Sequence, residues 1–317
     1  MNKTKLIFVL LTSLALGACS NSDDDELTSQ QPKSYPMTIE VTENPMVQDG
    51  EGGGTTRAAI TTNSSLDKFY MSYVYGSEAS SDPITATKGS EGKWSSTGSW
   101  PDTSDEVTWY AYTDGTFNQT EDANKLPYIN FTVEEAAASQ HDLLVATASG
   151  TYSGTGGKLS FTFDHACSAL RFYVKKSTNI NDKTLTVSSI VLKNVIKDGK
   201  YYYGTQSWTL GTTSTDYTLL SSSQTLASDS YVLLNGSEDD SYLFLIPQTL
   251  TAWDHVTAIA SATTQSYLEV TCSINGGASQ TAYVPFGTTL VGGKKYDVKI
   301  NIGKNSLYSG PNTLLIP

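Results

Sequence analysis

The chain has 317 residues and a formal net charge of −12, and its only dense basic groups are Lys175-Lys176 and Lys294-Lys295. Phosphate binding needs clustered Lys and Arg, so this balance excludes a nucleic-acid partner. Charged residues make up only 16%, while Thr and Ser are abundant and there are 19 Tyr. That composition favours strands and turns over helices, and a mature length of about 300 residues suggests two domains.

The N-terminus carries Lys3 and Lys5, then an apolar run from Leu6 to Leu16. A basic start, a short apolar stretch and small residues before a cut make a secretory signal peptide over residues 1–18. The stretch is too short to stay as a membrane span. Leu16-Gly17-Ala18-Cys19 looks like a lipobox, in which the Cys19 thiol is acylated and the chain is cut before it. Several acyl chains on one residue make a stable anchor in the outer membrane. Ser20-Asn21-Ser22 leads into Asp23-Asp24-Asp25-Glu26. This run is similar to the surface-export signal of lipoproteins of the Bacteroidota, and its plain alternative is a solvated acidic spacer.

Residues 19–57 read as an acidic tether and propeptide, with Pro32, Pro36, Pro45 and Gly50-Glu51-Gly52-Gly53-Gly54. Glycine runs keep a linker flexible. Within it only residues 35–41 have strand character. Period-two alternation then begins: Phe69, Met71, Tyr73 and Tyr75 lie on one face, and Val107, Trp109 and Ala111 form another such set. Residues 128–133 and 143–148 predict further strands, with one helical turn over 133–140. In the second half Leu170, Phe172 and Val174 alternate with Arg171, Tyr173 and Lys175. Leu268, Val270, Cys272 and Ile274 follow the same rule, as do Tyr296, Val298, Ile300 and Ile302. Residues 185–195, 231–234 and 242–246 add strands. Turns are expected at Asp198-Gly199, Asn235-Gly236, Asn275-Gly276-Gly277 and Gly292-Gly293. Many short strands with such punctuation predict an all-β fold of sandwiches or barrels. The glycine- and serine-rich run over 149–157 marks the expected boundary between a sandwich over 58–157 and one over 158–303. The alternative is a long hairpin tip at this run, with the boundary nearer residue 178.

Four runs, in chain order, resemble the fimbrillin family of pilus subunits and tip adhesins. They run from Thr55 to Thr62, from Phe161 to Phe172, from Tyr242 to Leu250 and from Lys294 to Ile300. The resemblance implies two tandem transthyretin-like β-sandwich domains and assembly with other pilus subunits by strand exchange. It also implies maturation by an Arg-specific protease, with loss of the N-terminal strand, and the residues support this in one respect. The chain holds two arginines, Arg57 and Arg171. Arg171 is expected mid-strand, whereas Arg57 follows a glycine run where a nick is easy, so a cut between Arg57 and Ala58 is the expectation. The plain alternative is an uncut linker. The tail over 304–317 is the candidate donor strand, although its alternation is poor, which fits a tip or accessory subunit better than a stalk pilin.

No catalytic, metal or cofactor site is expected. His141, His165 and His255 lack metal-type spacing, and His165 reads as a residue that caps or packs at a strand end. Trp253-Asp254-His255 is a polar turn rather than a triad, and the acidic clusters lack a Ca²⁺ loop. Cys167 and Cys272 are left to pair or to sit buried separately. Trp94, Trp100, Trp109, Trp208 and Trp253, with Tyr201-Tyr202-Tyr203, are candidates for stacking on sugars or for core packing. The rival to a pilus subunit is therefore a surface glycan-binding lipoprotein, and a host protein or glycan is the candidate ligand in either case.

Overall fold

The computed structural model describes residues 35–48, 66–80, 82–119, 127–228, 230–234, 242–304 and 313–316. It is all-β. The signal peptide, Cys19, Asp23 to Glu26, Arg57, Ala58 and the Asn235-Gly236 turn lie outside the described residues.

The first sheet runs in space from Thr38–Glu43 through Lys158–His165, Leu144–Gly150, Val107–Tyr112, Lys68–Tyr75 and Ile84–Lys88 to Trp94–Ser96. Alternation decides its buried face. Phe69, Met71, Val107, Trp109, Ala111, Leu144, Ala146, Leu159, Phe161 and Phe163 all point into one core. Trp100 closes over it, its ring 5.4 Å from that of Trp109. The 149–157 run joins two neighbouring strands of this sheet, and it contains a one-turn helix, Tyr152–Thr155. Thr151 caps that turn by accepting from the Gly154 N–H at 3.1 Å.

The larger core lies between two further sheets. In one, Ser168–Lys176 runs parallel to Lys294–Lys304, with Val232–Leu233 and Leu243–Leu245 antiparallel to the former. In the other, Leu185–Ile196 is flanked by Ser214–Leu220, Gln224–Leu226 and Tyr267–Ile274, and Gln280–Pro285 lies beyond. Leu170, Phe172, Val174, Val270, Cys272, Val298, Ile300 and Ile302 are buried between them, as their alternation predicts. Packed sheets with apolar inner faces are the architecture of a β-sandwich.

A fourth sheet, Thr116–Asn118, Tyr128–Thr132, Asp198–Tyr202 and Ser207–Leu210, draws strands from both halves of the sequence. Asp198-Gly199, expected as a turn, starts one of these strands. Glycine is needed there for close approach: a Cβ would sit 2.9 Å from the Thr209 carbonyl and 3.3 Å from the Trp208 ring. The helical turn expected over 133–140 shrinks to a 3₁₀ turn, Ala137–Ser139. Tertiary contacts claim its side chains instead. Buried Gln140 donates to the Glu134 carbonyl and accepts from the Phe244 N–H, and Glu135 pairs with Lys197 at 2.7 Å.

Candidate functional site

Among the described residues, the N-terminal strand, Thr38–Glu43, is an edge strand paired with one other strand. It lies parallel to Lys158–His165, with Ile39 opposite Leu159, Val41 opposite Phe161 and Glu43 opposite Phe163. A parallel pair needs a long connection, and here the rest of the first sheet supplies it. Backbone bonds from the Thr38 N–H to Gly157 O (2.9 Å) and from the Asn44 N–H to Phe163 O (2.8 Å) close its two ends. Gly157 makes the approach possible. Its φ is +78°, and a Cβ there would stand 2.5 Å from the Pro36 carbonyl oxygen.

Side chains divide by face. On the outer face Glu40 pairs with Lys158 at 2.7 Å and the Thr42 and Thr162 hydroxyls meet at 3.0 Å. The Asn44 amide donates to Asp164 at 2.7 Å. On the inner face Ile39 is buried in the first core, with Val41 packed against it. Glu43 continues that inner row, where period two would place a third apolar residue, and its carboxylate stands 3.3 Å from Nε2 of His165. His165 Nδ1 is hydrogen-bonded to Asp142, whose carboxylate also accepts from the Cys167 N–H at 3.3 Å. The Glu43 contact is a charge contact without hydrogen-bond alignment, since neither Glu43 Oε1 nor His165 Nε2 has an aligned partner. Burial would lower the imidazole pKa, but the Asp142 and Glu43 carboxylates outweigh it and hold His165 up to about 9. At neutral pH the ring is therefore a buried cation between two carboxylates. Neighbours in sequence gave no sign of this; the acid that faces His165 lies far upstream.

Beyond Glu43 the chain crosses to the second core. Met46 is buried in it at 2% exposure. Val47–Gln48 then runs parallel to Lys294 and Lys295, with the Val47 N–H bonded to Gly293 O at 2.9 Å. Ser168–Lys176 occupies one edge of Lys294–Lys304. The other edge takes Val47–Gln48 at its start and Thr313–Ile316 at its end, where Asn301 stands opposite Thr313. Segments from both ends of the chain thus pair along one edge.

The remaining residues singled out in the sequence scatter. Arg171 lies mid-strand, as expected, where it makes a two-pronged bond to Asp297 directly opposite (2.9 and 3.2 Å). Cys167 and Cys272 are buried and unpaired. Trp100 and Trp109 are core residues. Trp94 packs on Phe69, and half-buried Trp208 donates to Ala166 O. Trp253 packs at a tilt against His255, with ring centroids 4.7 Å apart, in a turn that Asp254 caps by accepting from the Val256 and Thr257 N–H groups. His141 is exposed. Tyr202, Lys200 and Asn130 help to line an open cavity of about 720 Å³ on the fourth sheet.

Packed β-sheets whose edges are completed by the chain's own terminal segments define a β-sandwich protein organised around edge strands. The sequence matches the fimbrillin-like family over residues 56–314, and the chain belongs to that family. Two solved structures share the fold. A fimbrial protein from Bacteroides vulgatus ATCC 8482 superposes with a TM-score of 0.59 at 17% identity, over 86% of this chain and 96% of that one. A candidate cell adhesion protein from Bacteroides ovatus ATCC 8483 gives 0.51 at 16% identity, over 85% and 92%. No curated protein matches the sequence.

Proposed function

We infer that this chain is a non-catalytic cell-surface fimbrial subunit or tip adhesin. It is exported as a lipoprotein through Cys19, cut after Arg57 and assembled with other pilus subunits by strand exchange. One observation carries the reading: among the described residues, the strand upstream of Arg57 is an edge strand paired with one parallel neighbour. A cut after Arg57 would leave residues 38–48 attached only by non-covalent contacts. Their departure would expose unpaired backbone groups of Lys158–His165 together with the places of Ile39 and Met46. A donor strand restores both, through main-chain hydrogen bonds and alternate side-chain pockets. Each apolar anchor is worth about 1.5–3 kcal/mol, so a few of them make a long-lived joint. The family match also begins at residue 56, after the N-terminal strand.

The test is the N-terminus of the protein taken from native membranes. A chain that starts at Ala58 supports the fimbrial reading. A chain that keeps acylated Cys19 and residues 20–57 points to the glycan-binding lipoprotein, for which the open cavity beside Tyr202 is the candidate site.

A further inference from the structure

An edge strand that merely fills a groove would present apolar residues at every inward position. This one presents Ile39 and Val41 and then a carboxylate, Glu43, against the imidazole of His165. The His165 ring is itself fixed by Asp142, and both side chains are almost fully buried, at 2% and 1% exposure. The vacated groove would therefore end not in an apolar wall but in the buried imidazole of His165, whose Nε2 lies 3.3 Å from the place of the Glu43 carboxylate. Resting on the exchange reading above, we propose that the His165–Asp142 pair selects the incoming strand by its charge. The favoured occupant is a partner's segment with apolar residues at two alternate positions, an Asp or Glu two residues further on, and a large apolar residue three beyond that.

The physical reason is the asymmetry of buried polar groups. A matching carboxylate sets an opposite charge 3.3 Å from Nε2. An apolar side chain would remove that charge from beside the buried imidazole, and a basic one would place a like charge against it. The outer face adds a weaker preference, since Lys158 and Asp164 meet Glu40 and Asn44 there. Because those two groups are exposed, solvent screens them, and His165 carries the discrimination. The chain's own tail fails this criterion: residues 305–317 contain no Asp or Glu. A donor drawn from residues 305–317 of a second copy would thus be mismatched to the groove.

The experiment uses the full chain nicked after Arg57 by an Arg-specific protease, with labelled peptides added to displace the resident strand. The peptide of residues 35–48 should be captured. Its E43Q form, equal in shape but uncharged, should bind at least about tenfold more weakly, and a peptide of residues 305–317 should not compete. In a chain carrying His165→Gln, the preference for the unsubstituted peptide over its E43Q form should vanish. Should that chain not fold, the same preference measured on the natural chain should fade as the pH rises past about 9. Equal capture of the two peptides by the natural chain, or a preference that survives H165Q or high pH, overturns the charge selection alone. Failure of every peptide to enter the nicked chain overturns the exchange reading as well.

Discussion

The carboxylate of Glu43 stands 3.3 Å from Nε2 of His165, although the two residues lie 122 positions apart in the sequence. This contact joins the last residue of the N-terminal strand to the last residue of the strand beside it, and it gives that junction a dependence on pH.

The imidazole titrates near 6.5 when unfolded and is held up to about 9 in the fold by Asp142 and Glu43, against the opposing effect of burial. A raised pKa means that the folded state binds the proton more tightly. Its stabilisation is fully present below about pH 6.5 and is lost as the pH rises through about 9. The shift corresponds to an upper limit on the order of 3 kcal/mol. Thermal denaturation of the natural chain should show a decline in Tm between those pH values that H165Q lacks; parallel profiles for the two would refute the assignment.

Met46 lies upstream of Arg57 and is buried in the second core. Met46→Ala should destabilise the intact chain by about 2–5 kcal/mol. After a cut at Arg57 and removal of the N-terminal fragment, the variant and natural chains become identical and their denaturation midpoints should coincide. Before removal they should differ.

Gly157 combines a φ of +78° with a carbonyl 2.5 Å from any added Cβ. Gly157→Ala should cost about 1–3 kcal/mol and loosen residues 35–48 first. Hydrogen exchange would register this as faster exchange at Thr38, whose N–H bonds to the Gly157 carbonyl, ahead of the core strands. Uniform loss of protection across both cores would argue against a local effect.

Arg171 and Asp297 face each other across a parallel pair, and the guanidinium also lies 4.9 Å from the Tyr242 ring centroid. Lysine cannot reproduce a two-pronged bond with ring stacking. Arg171→Lys should lower stability by about 1–3 kcal/mol, read from a denaturant midpoint. Combined with Asp297→Asn, its effect should be clearly less than additive.

The thiols of Cys167 and Cys272 are pushed above their usual range by burial, with the Asp142 carboxylate adding to the effect at Cys167. Only thiolates react readily with alkylating reagents. Both residues should resist alkylation in the native chain and react once denaturant unfolds it; fast labelling at either position under native conditions would contradict its burial.

Strand identity and facing were legible in the sequence because they depend on a local rule. Alternation at Phe69 to Tyr75, Leu170 to Val174 and Leu268 to Ile274 fixes which side chains turn inward, whatever the strand pairs with. The all-β class and the family resemblance followed from the same local runs. Pairing is not local, so the sequence was silent on it. Asp198-Gly199 has the composition of a turn, but Trp208 packing over Gly199 makes it a strand. Residues 133–140 have helical propensity, which Gln140 and Glu135 override by bonding to distant partners. His165 looked like an ordinary strand-end residue because the two carboxylates that charge it, Glu43 and Asp142, come from other parts of the chain. Burial and charge at one atom depend on every segment that folds against it, and only the tertiary structure brings those segments together.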